Sequence, residues 1–147
     1  MTDVTLRPLA DTDEAQWRAL WTGYLDFYGA TVSEAVYSAT FARLCDPDRP
    51  QQRALVAETD GRLLGLVHVV FHPHNWRVED VCYLQDLFVM PEARGTGLGR
   101  ALIEAVYGMA DAAGAPSVYW LTQDFNHEAR QLYDRIATLT PFIKYQR

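Results

Sequence analysis

The alternation of strand-like and helix-like stretches along this chain predicts an α+β fold. It should have a mixed central sheet flanked by helices, in the order β-α-α-β-β-β-α-β-α-β. Three observations carry the prediction. Trp17, Leu20, Trp21, Tyr24, Leu25 and Tyr28 recur at helical spacing. Asp60-Gly61 separates two β-like runs in the way a tight hairpin turn does. From Leu84 to Ile103 a strand, a glycine-rich turn and a helix start follow one another.

Taken in order, Val4 to Arg7 reads as a first strand. Thr12-Asp13 opens the helix of the aromatic stripe, and Gly29-Ala30 ends it. Ser33 is suited to cap a second helix with Val36, Tyr37, Phe41 and Leu44 on one side. Asp46 to Pro50 is a loop. Arg53–Glu58 and Arg62–Phe71 form the hairpin, and His72 to Trp76 leads out of it. Val81–Met90 is the next strand. A helix from the glycines to about Ala113 follows, with Leu98, Ala101, Leu102, Ala105, Val106 and Met109 as its apolar stripe. Ser117–Thr122 is a strand, Asn126 to about Ile136 a helix, and Phe142–Gln146 a last strand.

A length of 147 residues fits one domain spanning 1–147. A net charge of −6 suits a cationic substrate and argues against non-specific nucleic-acid binding. No apolar run is long enough to span a bilayer, and Met1-Thr2-Asp3-Val4 lacks the features of a signal peptide. Two cysteines, Cys45 and Cys82, cannot build a disulfide framework. A cytoplasmic protein without a membrane partner is the expectation.

The turn at Gly95, Gly97 and Gly99 has the chemistry of an anion cradle. Glycines let successive backbone N–H groups approach a ligand, and the following helix points its positive end at the same place. A nucleoside-triphosphate loop would need a lysine and a hydroxyl after the last glycine, where Arg100-Ala101 stand instead. A dinucleotide fingerprint would need its third glycine at Arg100, in a repeating βαβ sheet that the hairpin argues against.

The pattern that fits is Arg94-x-x-Gly97-x-Gly99, after a strand ending Leu87-Phe88-Val89 and before a helix with Asn126 at its start and Ala129-Arg130-Gln131-Leu132-Tyr133 within it. This arrangement resembles the GNAT superfamily of N-acetyltransferases, and the resemblance covers essentially the whole chain. Tyr83 to Val89 and Ser117 to His127 look like the branch that holds histone/polyamine and D-amino-acid acetyltransferases.

The resemblance implies transfer of an acetyl group from acetyl-CoA, used as co-substrate, to a primary amine of a small molecule or peptide. No metal is implied. The pyrophosphate would lie on the N–H groups of Arg94, Gly95, Thr96, Gly97, Leu98, Gly99 and Arg100. The pantetheine arm would pair with the backbone of Leu87, Phe88 and Val89, with Asn126 also at the cofactor. Tyr133 would donate a proton to the departing thiolate.

The base is less defined. Gln85 stands where relatives carry a glutamate, and an amide cannot take a proton. Asp86 is the catalytic candidate, provided a bulge turns it from the face that alternation predicts. Glu79, Asp80, His72 and His74 precede it in the loop, and Cys82 offers a covalent route. Tyr24, Asp26, Tyr28, Glu34, Trp120 and Asp124 are acceptor-site candidates. One final strand would leave an open edge, which predicts a homodimer. The alternative is a non-catalytic acyl-CoA-binding sensor on the same scaffold, suggested by Gln85.

Overall fold

The computed structural model describes residues 3–147. Its elements are β1 (Thr5–Pro8), α1 (Glu14–Phe27), α2 (Glu34–Leu44), β2 (Gln52–Thr59), β3 (Arg62–His72), β4 (Val81–Val89), α3 (Leu98–Ala112), β5 (Val118–Tyr119) and α4 (His127–Ile136). Short 3-10 turns at Asp11–Asp13 and Pro91–Ala93 precede α1 and α3. The strands form one five-stranded sheet in the order β1-β2-β3-β4-β5. Its first three pairings are antiparallel and β4–β5 is parallel.

Local chemistry accounts for the boundaries. The Ser33 hydroxyl accepts the Val36 N–H at 3.3 Å and caps α2. Asp60 sits at φ 50°, the left-handed backbone that a two-residue hairpin turn demands. Near the N-terminus, Arg7 ties β1 to its neighbours. Its guanidinium bonds both oxygens of Asp13, at 2.7 and 2.9 Å, and Glu58 of β2 at 2.6 Å.

The sheet separates two apolar cores. On one face Trp17, Leu20, Trp21 and Leu25 of α1 and Phe41 of α2 pack on Val56, Leu63 and Leu66. On the other face Leu98, Leu102, Ile103, Val106 and Ala110 of α3 pack on Val67, Val69, Cys82 and Leu84. Strand alternation puts neighbouring residues such as Leu66 and Val67 in opposite cores.

Two differences from the sequence expectation stand out at the C-terminal end. The strand expected over 117–122 is only two residues long. The strand expected over Phe142–Gln146 is absent. Residues 137–147 hold no regular element, and Phe142 and Tyr145 are 79% and 89% exposed. The segment has strand-like composition, but it makes no ladder with any described strand, and composition without a partner edge does not make a strand.

Candidate active site

β4 and β5 run side by side only at Cys82–Val118 and Tyr83–Tyr119. Beyond that point β5 ends, and the outer edge of β4 has no strand neighbour among the described residues. The Met90 N–H donates to Leu64 O at 2.9 Å, so Met90 turns its backbone toward β3. By strand alternation Phe88 does the same, while Leu87 and Val89 turn theirs to the open edge. Of the three residues expected to pair with the pantetheine, Leu87 and Val89 therefore turn backbone groups to the open edge, where Arg94 Nε already bonds Val89 O. Phe88 instead presses its ring on α1, where a Cβ on Gly23 would come within 2.8 Å of it.

The open edge leads into the glycine turn. Gly95 and Gly97 lie at φ 79° and 84°, a backbone conformation that side-chain-bearing residues rarely adopt. Gly97 is the N-cap of α3, and the Thr96 hydroxyl donates to Ala93 O at 2.6 Å, which tightens the turn. Among the described residues, the N–H groups of Gly95, Thr96 and Gly97 donate to no backbone or side-chain acceptor. Those of Leu98, Gly99 and Arg100 belong to the first helical turn and lack intrahelical acceptors. The result is a run of donors at the positive end of a fifteen-residue helix.

Side chains around the turn have other work. Arg94 donates from Nε to Val89 O at 3.0 Å, and its guanidinium lies 5.5 Å from the centre of the Phe88 ring. Arg100 pairs with Glu104. Gly99 faces α4, where an added Cβ would meet only Leu132 Cδ2 at 3.8 Å. Asn126 N-caps α4 without a side-chain bond to the helix. Its amide donates to the Thr122 hydroxyl at 3.3 Å, tying the helix start to the loop after β5.

A β-bulge settles the direction of Asp86. His68 pairs with Asp86 and Val69 with Leu84, so Gln85 is an extra residue. Leu84 stays in the α3 core, and Asp86 is turned to the α1 face. There it is 8% exposed, beside His68 at 4%. Asp86 Oδ2 lies 2.8 Å from His68 Nδ1 and accepts from Trp21 Nε1 at 3.2 Å. Trp17 Nε1–H donates to His68 Nε2 at 2.9 Å. Gln85 itself is exposed.

Tyrosines surround the carboxylate. Burial, and next the Asp86 charge, raise the Tyr24 phenol far above its ordinary value. Burial and the same charge also raise Tyr28 and Tyr83. Tyr83 is stacked 4.8 Å from Tyr119, whose hydroxyl meets His72 Nε2 at 2.7 Å. Tyr133 of α4 packs edge-on to Trp120 at 5.4 Å. Its phenol is pushed up to about 12 by burial, with a further contribution from Tyr28. The Asp86 charge thus reaches Tyr28, and Tyr28 in turn acts on Tyr133.

The other candidates fall elsewhere. Asp26 lines a cavity of about 600 Å³ with Gly23, Phe88 and Arg94. Glu34 is paired with Arg18 at 2.7 Å. Glu79 lies 3.6 Å from Arg77, and His74 accepts the Trp76 N–H. Asp80 and Asp124 are exposed, and the Asp124 backbone carbonyl accepts from Arg130. Cys82 is fully buried in the α3 core, where burial pushes its thiol up to about 11. It has neither the access nor the thiolate character of a nucleophile. Among the described residues no group of three His, Cys, Asp or Glu side chains is placed to hold a metal.

Residues 17–137 match the acetyltransferase (GNAT) family. The chain is 39% identical over 145 residues to a D-amino-acid N-acetyltransferase of Saccharomyces cerevisiae, spanning 98% of this chain and 90% of that one. It is 30% identical over 120 residues to the thialysine N-epsilon-acetyltransferase of Bos taurus, spanning 82% and 61%. An aminoglycoside N-acetyltransferase solved in complex with CoA superposes with a TM-score of 0.85 at 18% identity, covering 100% of this chain and 95% of that one. At that identity the likeness speaks for the fold.

Proposed function

The chain belongs to the GNAT family of acetyltransferases, and from that premise we propose which of its groups carry the reaction. It is an acetyl-CoA-dependent N-acetyltransferase. The observation that carries the proposed site is the run of free N–H donors from Gly95 to Arg100, continuous with the open edge of β4. The donors take the pyrophosphate. Leu87 and Val89 pair with the amides of the pantetheine arm as an added strand would. The thioester then comes to rest near the bulge, between Asp86 and Tyr133.

The acceptor is a primary amine, which is protonated at neutral pH. Asp86 attracts the ammonium ion and takes its proton. The amine nitrogen then attacks the thioester carbonyl, a C–N bond forms, and the C–S bond breaks. Tyr133 gives its phenolic proton to the leaving sulfur. The phenol is protonated at neutral pH, as any tyrosine is, and so holds the proton to give. A direct transfer of this kind needs no acetylated cysteine, in keeping with the burial of Cys82. A non-catalytic sensor would have no use for a carboxylate and a phenol on either side of one cleft.

D-amino acids form the first acceptor class to test, because the relative from Saccharomyces cerevisiae is named for them. We further propose a cytoplasmic homodimer, with the second copy covering Leu139, Phe142, Ile143 and Tyr145, all exposed in the single chain. The test of function is thiol release from acetyl-CoA against a panel of D- and L-amino acids, polyamines and aminoglycosides. Release that depends on an added amine supports the reading. Acetyl-CoA binding without turnover of any amine overturns it in favour of the sensor.

A further inference from the structure

His68 is a buried titratable side chain for which the acetyl-transfer chemistry has no stated use. It sits among Leu66, Val67, Val69 and Val70, in a strand that is otherwise apolar over this stretch. Its partners determine where its proton is. Trp17 offers an indole N–H, which can only donate, and it points at Nε2 from 2.9 Å. Nε2 must therefore present its lone pair. A neutral imidazole with a bare Nε2 carries its proton on Nδ1, and Nδ1 lies 2.8 Å from Asp86 Oδ2. Asp86 Oδ2 consequently accepts two N–H donors, from His68 and from Trp21. Among the described residues no N–H donates to Oδ1, and the Tyr24 hydroxyl is the further hydrogen-bonding neighbour of the carboxylate. No buried side-chain polar atom among the described residues lacks a partner, so Oδ1 is the less enclosed oxygen of the carboxylate.

We infer that Trp17 and His68 form a one-directional clamp, in which each N–H donates toward Asp86 and leaves Oδ1 as the single oxygen able to meet the acceptor amine. His68 is then a positioning residue rather than a catalytic one. The clamp has two chemical consequences. The Trp17 N–H occupies the Nε2 lone pair, so the ring addresses Asp86 through Nδ1 alone and in one orientation. The chain also cannot work as a proton relay. A proton taken at Oδ1 has no inward route, because Trp17 cannot accept one at the far end. It returns to solvent through the cleft, past Tyr24, Tyr28 and Tyr83, the other titratable groups that feel the carboxylate.

The inference rests on the role of Asp86 in acetyl transfer, and the test separates the two. Steady-state kinetics are compared for wild type, His68→Leu, His68→Asn and Asp86→Asn, each checked for acetyl-CoA binding. His68→Leu removes the donor, and His68→Asn restores an N–H close to the position of Nδ1. His68→Leu should lower kcat/KM for the amine by about tenfold or more, as losing the partner that orients a functional group does. KM for acetyl-CoA should stay within about twofold. His68→Asn should recover most of that loss. Side-chain nitrogen NMR of the wild type should show the His68 proton on Nδ1.

An Nε2-protonated ring overturns the clamp, and this measurement decides the matter even where His68→Leu does not fold. So does wild-type kinetics in His68→Leu, or a folded His68→Asn as impaired as His68→Leu. Full activity in Asp86→Asn overturns the catalytic reading of Asp86 itself.

Discussion

Replacing Gly97 by alanine tests the anion cradle where its backbone is most constrained. Gly97 holds φ 84° and ψ 6° at the N-cap of α3. An L-residue in left-handed backbone costs about 1–2 kcal/mol. A gain of about 0.4–1 kcal/mol from stiffening the unfolded chain offsets part of this. A turn that keeps its shape therefore loses about 1 kcal/mol of stability, and the melting temperature falls by a few degrees. A turn that relaxes instead swings the neighbouring N–H groups away from the pyrophosphate. A hydrogen bond to a charged group contributes about 1.5–3 kcal/mol, so losing one weakens acetyl-CoA binding by about tenfold or more. Gly99→Ala is the matched control. Its Cβ meets only Leu132 Cδ2 at 3.8 Å, its φ is not positive, and alanine favours a helix. Calorimetric titration with acetyl-CoA and a thermal melt of each variant give both quantities. The reasoning fails if Gly97→Ala matches wild type in both. It also fails if Gly99→Ala loses as much affinity as Gly97→Ala.

Tyr133→Phe should lower kcat by at least about tenfold while KM for acetyl-CoA stays within about twofold, since the ring packing survives and only the proton donor is lost. Because burial pushes that phenol up to about 12, the wild-type donor stays protonated beyond the ordinary tyrosine range, and any fall in kcat below pH 10 arises from another group. A Tyr133-dependent loss of kcat already complete by about pH 9 would contradict this. Cys82→Ala should keep at least about half of wild-type kcat, and trapping of an acetylated cysteine would contradict direct transfer. Arg7→Ala should cost about 2–3 kcal/mol in urea unfolding, because it strands the buried Asp13 carboxylate. The Arg7 hydrogen bonds hold Asp13 below its usual 3.8, so the difference from wild type is present above that pH and shrinks as the pH falls beneath it. Sedimentation at micromolar concentration should show a dimer, and a stable monomer would remove the homodimer from the proposal.

The geometry of the proposed cofactor side was legible because it is local. Gly95, Gly97 and the helix after them work through backbone geometry set by a few adjacent residues. Asn126 and Tyr133 stand at fixed offsets on one helix. The acceptor side depends on contacts far apart in the chain. Trp17 and His68 are separated by 51 positions, and within its strand His68 reads as a polar interruption of a core pattern. The available signal was that interruption: a histidine in a buried strand needs partners for both nitrogens. The direction of Asp86 depended on a bulge at Gln85, which alternation alone does not locate. The expected strand at Phe142–Gln146 had the right side chains, but pairing is a property of two strands, and β5 extends over only two residues.

The bulge also divides the constraints on future sequence change. Beyond it, the proposed hold on acetyl-CoA uses the backbone of Leu87 and Val89, atoms that every amino acid except proline supplies. Flanking it, the proposed acceptor side is built from side chains, those of Tyr83 before the bulge and Asp86 after it. Mutational drift can therefore rewrite acceptor preference while the cofactor grip persists. A library confined to Tyr24, Tyr28, Tyr83 and Tyr119 is the economical place to search for altered amine selectivity.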